Sequence, residues 1–350
     1  MPADSAASYR SFIRRKLLAL FALAGVLAAA ALLGLSVGGS SLGIRESWEA
    51  LWSGRTDTAG QILWNLRLPR VLTAVAAGCG LAMAGLVMQT ILRNPLASPY
   101  TLGVSSAASC GAAVAIVLKS GITALIGLRL NYDYLIVANA FLFAVLCTGA
   151  IYALSRLRNV TPETIVLLGV AMMFLFSAAT SFLQYLGDPD ELAALVYWMF
   201  GSLARATWGK LQILAAVTAA AFILTYRKAW DLNALLLGDD AARSTGIDAE
   251  KLRLAVLVLA SLATAAIISM VGPIGFIGLV APHLGRMLIG GDHRFLLPAS
   301  CLIGAVLLLL ADAAARTLLA PEVIPVGIIT SFVGVPLLIG LMLRRRKEYW

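Results

Sequence analysis

The chain has 350 residues, of which 60% are hydrophobic and 13% charged, where soluble domains carry roughly a quarter charged. Charge this sparse, with long uncharged apolar runs, excludes a water-soluble globule and places the chain in the membrane class. Cys79, Cys110, Cys147 and Cys301 each stand alone in an apolar run, so their spacing indicates neither a metal site nor a disulfide framework. The net charge of +9 raises nucleic acid as a partner, and the positions of the basic residues decide against it.

Arg14, Arg15 and Lys16 precede Leu17–Val37, an apolar stretch too long for a signal-peptide core and read as an uncleaved first span. A helix needs about 20 residues to cross the hydrocarbon core. That length predicts about ten spans, near 17–37, 69–92, 101–118, 134–154, 163–186, 208–226, 252–271, 274–290, 295–319 and 324–343. The fold class is therefore an all-α integral membrane protein, and residues 1–350 are read as one transmembrane domain. With a cytoplasmic N-terminus, the inner segments hold Arg10, Arg14–Lys16, Arg93, Arg156, Arg158, Arg227, Lys228, Arg243, Lys251, Arg253, Arg286, Arg294 and Arg344–Lys347, 18 of the 27 Lys and Arg. The basic excess is thus a topology signal that puts both termini in the cytoplasm. Small residues cluster in the second span (Ala77, Gly78, Gly80, Ala84, Gly85), as close helix packing in lipid requires.

Two segments break the helical pattern. Arg93–Gly103 carries Pro95 and Pro99; Gly272–Arg286 carries Pro273 and Pro282 among four glycines. Broken backbone at membrane depth is tolerated only inside protein or beside a watery cavity. The segments occupy corresponding places in the two halves, the first predicted cytoplasmic and the second external, which is the pattern of an inverted repeat relating spans 2–5 to spans 7–10.

Between the sixth and seventh spans lies a long polar connection, Ala229–Arg253. Asp231 is a good N-cap for Leu232–Leu237, and Gly238 can end that helix in a left-handed conformation. Asp239 or Asp240 can cap a second short helix that Gly246 closes, and Asp248 caps the next span. Two short capped helices make a cytoplasmic elbow, which is either a solvated connector or a handle for a soluble partner.

No GxxxxGK[ST] loop or HExxH occurs, so neither that mode of ATP hydrolysis nor that catalytic device is present. Of the two histidines, His283 reads as a helix-end hydrogen-bonding residue and His293 as part of a cytoplasmic turn. Asp312 and Arg316, four apart, can form an ion pair within the ninth span. A gradient-driven secondary transporter or channel needs more mid-span ionisable groups than this, and a membrane enzyme needs a catalytic cluster. Tyr197, Trp198 and Met199, near the external mouth, are either substrate contacts or interfacial anchors.

The motifs in order are RLPR (67–70), MQTILRNPLASPYTLGVSS (88–106), YWMFGSL (197–203), LLGDDAARSTGI (236–247), GPIGFIGLVAPHLGR (272–286), GDHR (291–294), ADAAARTL (311–318) and IPVGIITSFVGVPLLIGLML (324–343). Together they resemble the FecCD family, the permease subunits of ATP-binding-cassette importers for ferric siderophores, haem and cobalamin. The resemblance implies a homodimer in the cell (inner) membrane, two cytoplasmic ATPase subunits and an external substrate-binding protein. It implies no catalytic residue, metal or cofactor in this chain, with ATP and Mg on the partners, and a ferric siderophore as the first-choice substrate, then haem, then cobalamin. It assigns ATPase coupling to Leu236, Leu237, Gly238, Asp239, Asp240, Ala241, Arg243, Ser244 and Gly246. It assigns binding-protein docking to Arg67, Arg70 and Arg316. The gate falls at Asn94 and Leu96 and at Pro162 and Glu163, where the cobalamin permease carries small hydroxyl residues.

Overall fold

A computed structural model describes residues 2–38, 44–53, 57–119, 121, 131–157 and 161–343. The basic run Arg344–Lys347 and Arg158, both counted in the topology reading, lie outside these. Helix α1 (Pro2–Ser36) is followed by two short helices, α2 (Ile44–Ser53) and α3 (Thr58–Ile62). A π-helical turn, Leu63–Arg67, leads into α4 (Leu68–Ile91). Helices α5 (Val104–Val117), α6 (Tyr132–Leu157), α7 (Pro162–Leu186), α8 (Pro189–Met199) and α9 (Trp208–Tyr226) complete the first half. The elbow is α10 (Ala229–Leu236) and α11 (Asp239–Ser244), and the second half is α12 (Ala249–Val271), α13 (Ile277–Ile289), α14 (His293–Thr317) and α15 (Val326–Leu343). No strand occurs among the described residues.

Each predicted span is found as helix. Seven are long and apolar enough to cross a membrane, and three apolar helices, Val104–Val117, Ile277–Ile289 and Val326–Gly340, are shorter. The first two are short because the chain before them, 92–103 and 272–276, runs unwound into the bundle. The amphipathic α2 and the capping-box helix α8 were not predicted, because neither is an apolar run. Asp188 and Glu191 exchange the reciprocal bonds that start α8.

Packing follows the repeat. When α4 is exchanged for α12, α5 for α13, α6 for α14 and α7 for α15, the pair α4–α14 becomes α12–α6 and α5–α6 becomes α13–α14. Likewise α5–α7 becomes α13–α15 and α4–α13 becomes α12–α5, and all of these pairs are in contact. Helix α4 is the centre, buried on nearly every side along its second half. Its approach to α13 sets the spacing there. A Cβ on Gly85 would lie 1.8 Å from the carbonyl oxygen of Gly278, so the two backbones touch with no room for a side chain.

Gly85→Val is therefore expected to force α4 and α13 apart at a cost of at least ~1–3 kcal/mol. Loss of the monodisperse peak of detergent-purified protein, or a lowered melting temperature, measures it, and a wild-type melting curve would contradict the crossing described.

Candidate functional site

The elbow is built from α10 outward. Ala229, Leu232 and Leu235 are buried on one stripe against α4 and α14. Because Ala229 joins that stripe, the helix begins three residues earlier than Asp231 capping predicts. Lys228 holds the N-cap position without a side-chain bond, and Asp231 lies in the first turn, paired with Lys228 at 3.0 Å. Gly238 has φ +119°, positive as predicted but not helical, and it rather than an aspartate occupies the N-cap of α11. Gly246, φ +83°, closes α11, and Asp248 caps α12 by accepting from the Lys251 backbone N–H at 3.0 Å, as expected. The outer tip exposes Leu237 (80%), Asp240, Arg243, Ser244 and Gly246, while Leu236, Gly238, Asp239 and Ala241 are half-buried.

Asp239 does not cap because its carboxylate is engaged elsewhere. Arg253, from the second turn of α12, reaches both its oxygens at 3.0 and 3.1 Å and donates from Nε to the Ile91 carbonyl at 3.0 Å. Arg93, held at φ +46° just after α4, donates to the same carboxylate and to the Leu235 carbonyl at 3.3 Å. One acidic group thus ties the elbow to the end of α4 and to α12. The segments predicted to form the gate border this hub. Asn94 makes a tight turn by accepting from the Leu96 N–H at 2.9 Å, and Leu96 is exposed. Across from it, Thr161 caps α7, Pro162 opens that helix, and the exposed Glu163 lies in the field of Arg253 and Arg93.

A second polar node lies on the inner side of α10. Asn233 donates to Asp292 at 2.9 Å and accepts from the His293 backbone N–H at 2.9 Å. Asp292 also caps α14 and is clasped by Arg294, which stacks over Trp230 at 4.1 Å. His293, predicted in a cytoplasmic turn, is instead the first residue of α14 and only 1% exposed, because the elbow folds over it. His283 is likewise not at a helix end; it lies mid-way along α13, half-buried. Burial pushes the Asp292 carboxyl up, but hydrogen bonds from Arg294 and Asn233 overcome this and hold it down at about 2.

At the opposite end of the bundle the three predicted docking arginines converge, though not onto open surface. Asp312, fully buried, pairs with Arg70 at 2.8 Å and with Arg316 at 3.0 Å. Arg67 donates to the Leu35 carbonyl at 2.5 Å, and Arg316 donates to the carbonyls of Gly34, at 2.8 Å, and Val37. The guanidinium groups cap the C-terminal end of α1, where orphan carbonyls gather. Arg70, with 13% of its side chain exposed, is the most accessible of the three.

The two broken segments, predicted on opposite faces, meet. Ser98–Thr101 lie against Ile274–Gly278 around a 160 Å³ space. Beside it a 730 Å³ cavity is lined by Tyr100, Met199, Phe200, Phe276, Ser331 and Phe332 among others, with no charged side chain. Of the predicted mouth residues Met199 lines this cavity, Trp198 is buried in the core and Tyr197 faces outward.

Two predictions follow from these contacts. Asp239→Asn leaves the buried Arg253 guanidinium against a neutral amide, with an expected loss of roughly 1–3 kcal/mol read as a lowered melting temperature; an unchanged one would contradict the hub. A depressed carboxylate contributes stability above its ordinary range and loses it as pH falls through its folded value. The difference in melting temperature between wild type and Asp292→Asn is therefore expected to be constant at neutral pH and to shrink between pH ~4 and about 2.

The model of the FecCD transport family matches residues 26–344. An ABC transporter permease protein of Methanocaldococcus jannaschii is 43% identical over 99% of this chain and 99% of its own. The hemin transport system permease protein of Yersinia pestis is 40% identical over 90% of this chain and 93% of its own. The solved structure of a metal-chelate type ABC transporter in an inward-facing conformation superposes with a TM-score of 0.80 at 32% identity, covering 94% of this chain and 100% of that one. The chain belongs to the FecCD transport family and is a multi-pass membrane permease of the ABC-transporter class.

Proposed function

We propose that this chain, acting as one transmembrane domain over residues 1–350, is the permease subunit of an ATP-driven importer in the inner membrane, with both termini cytoplasmic. Two copies form the pathway, two cytoplasmic ATPase subunits dock on the elbows, and an external binding protein delivers a metal chelate. The observation that carries the reading is the elbow's two-sidedness. Its tip exposes Leu237, Asp240, Arg243, Ser244 and Gly246 for a soluble partner, while Asp239 just behind them is bound to Arg93 and Arg253 beside the gate. A push on that tip has a direct mechanical route to Asn94, Leu96, Pro162 and Glu163. The chain itself does no covalent chemistry; ATP and Mg belong to the partners.

The repeat-related helices α7 and α15 support a second copy as neighbour. Both leave large apolar side chains exposed, Phe174 and Phe182 on one, Phe332 and Ile339 on the other, and Phe332 also lines the cavity. A chargeless aromatic chamber suits a bulky chelate whose metal is already wrapped in organic ligand. Ferric siderophore is the first candidate; haem follows, with the relative from Yersinia pestis named for hemin in its favour, and cobalamin is third. Docking of the binding protein belongs at the end where Arg67, Arg70 and Arg316 converge. In this reading Arg70, the most accessible of the three, takes a partner carboxylate, while Arg67 and Arg316 hold the α1 rim against which it seats.

The test is uptake into proteoliposomes holding the permease with and without its ATPase subunit, with binding protein loaded in turn with ferric siderophore, haemin and cobalamin. Accumulation of one chelate only with both ATPase and ATP is expected. Accumulation driven by an ion gradient without the ATPase would overturn the reading in favour of a secondary transporter or channel.

A further inference from the structure

The inner face of the elbow contains a joint that the docking reading does not require and that its geometry singles out. Asn233 is the polar residue on the inward side of α10, beside the buried Leu232. Its Nδ2 donates to the Asp292 carboxylate at 2.9 Å, which fixes the amide's orientation, since a carboxylate accepts only. Its Oδ1 therefore faces His293, accepting the backbone N–H at 2.9 Å and lying 2.8 Å from ring Nδ1. An amide oxygen cannot donate, so Nδ1 carries a proton. With four groups locked this way, α10 and the first turn of α14 form one block.

The other ring nitrogen faces a different body. Nε2 of His293 lies 2.8 Å from Oγ1 of Thr90, in the last turn of α4. A neutral imidazole with its proton on Nδ1 presents Nε2 as an acceptor, so the Thr90 hydroxyl is the donor. That hydroxyl has a single proton, and a second acceptor, the Leu86 carbonyl, lies 2.9 Å away one turn back in α4. Both Thr90 and His293 are buried, so water is not on hand to replace either bond. The hydroxyl can thus leave the histidine without losing a partner, whereas the bonds within the block have no such alternative among these groups.

We propose that Thr90 is a positioning residue for transport. Its hydroxyl is the releasable joint between the elbow block and the end of α4, donating to His293 while the block is seated and to Leu86 when the block is displaced. This rests on the elbow being the place where the ATPase subunit pushes. A joint with two settings of similar energy lets the motion pass to α4 as a step between defined positions.

The test uses the full permease–ATPase–binding-protein assembly in proteoliposomes and reads substrate accumulated per ATP hydrolysed. Thr90→Val keeps the side chain's shape and removes the proton. It is expected to co-purify with the ATPase and hydrolyse ATP, yet to move about tenfold less substrate per ATP, the factor one such buried hydrogen bond commands. Thr90→Ser, which restores the hydroxyl, is expected to recover most of that ratio. If Thr90→Val does not assemble, Thr90→Ala with the same serine control provides the measurement. An unchanged ratio in the valine or alanine variant overturns the proposal, and so does a loss that serine fails to rescue, which would mean the residue's packing matters and not its proton. Absence of ATP-dependent uptake in the wild-type assembly would instead count against the importer reading.

Discussion

Asp239 is one negative charge held between two guanidinium groups that reach it from separate parts of the bundle, Arg93 after α4 and Arg253 at the start of α12. Arg253 is buried and commits its Nε to the Ile91 carbonyl, so following the carboxylate outward breaks that bond, and staying behind leaves a buried charge unpaired. The elbow is short, and Gly238 with its positive φ lets α11 turn back so that Asp239 points inward while Leu237 points out. Movement of the tip therefore requires movement of the α4 end and of α12, or the rupture of this cluster.

Those two helices are the corresponding members of the two halves, and the repeat gives them equivalent neighbours. Helix α4 packs against α13 and α14, with the Gly85–Gly278 contact fixing how closely it lies against the first turn of α13, where the unwound stretch ends. That stretch and its counterpart around Tyr100 tolerate broken backbone because each is covered by the other and by protein. The uncharged chamber opens beside their meeting point. A displacement at the C-terminal end of α4 thus bears on the element that shapes the chamber, through rigid helix rather than flexible loop.

Much of this was legible in the sequence because the solvent is lipid. Apolar runs near 20 residues have few alternatives to helix there, and Gly238, Gly246 and Asp248 punctuate the elbow with residues whose backbone roles are local. What depended on tertiary contact was not legible. The start of α10 at Ala229 follows from burial against α4 and α14, which no capping rule encodes. The partners of Asp239 lie 14 and 146 positions away. His293 reads as a turn residue until the elbow is seen to cover it. The arginines at 67, 70 and 316 were grouped by resemblance alone, and only the fold shows them turned inward onto the end of α1 around Asp312. Asp292 ahead of an apolar run and Thr90 at the end of one were the signals that an end-of-span polar survey would have found.

The central claim is that the elbow is a lever, and replacing Leu236–Gly246 by a Gly/Ser tether of equal length tests it most directly. Transport by the assembled complex is measured against wild type at matched protein and ATP. The account predicts that ATP-driven accumulation is abolished while the permease remains folded. A tethered complex that still transports at the full rate would contradict it.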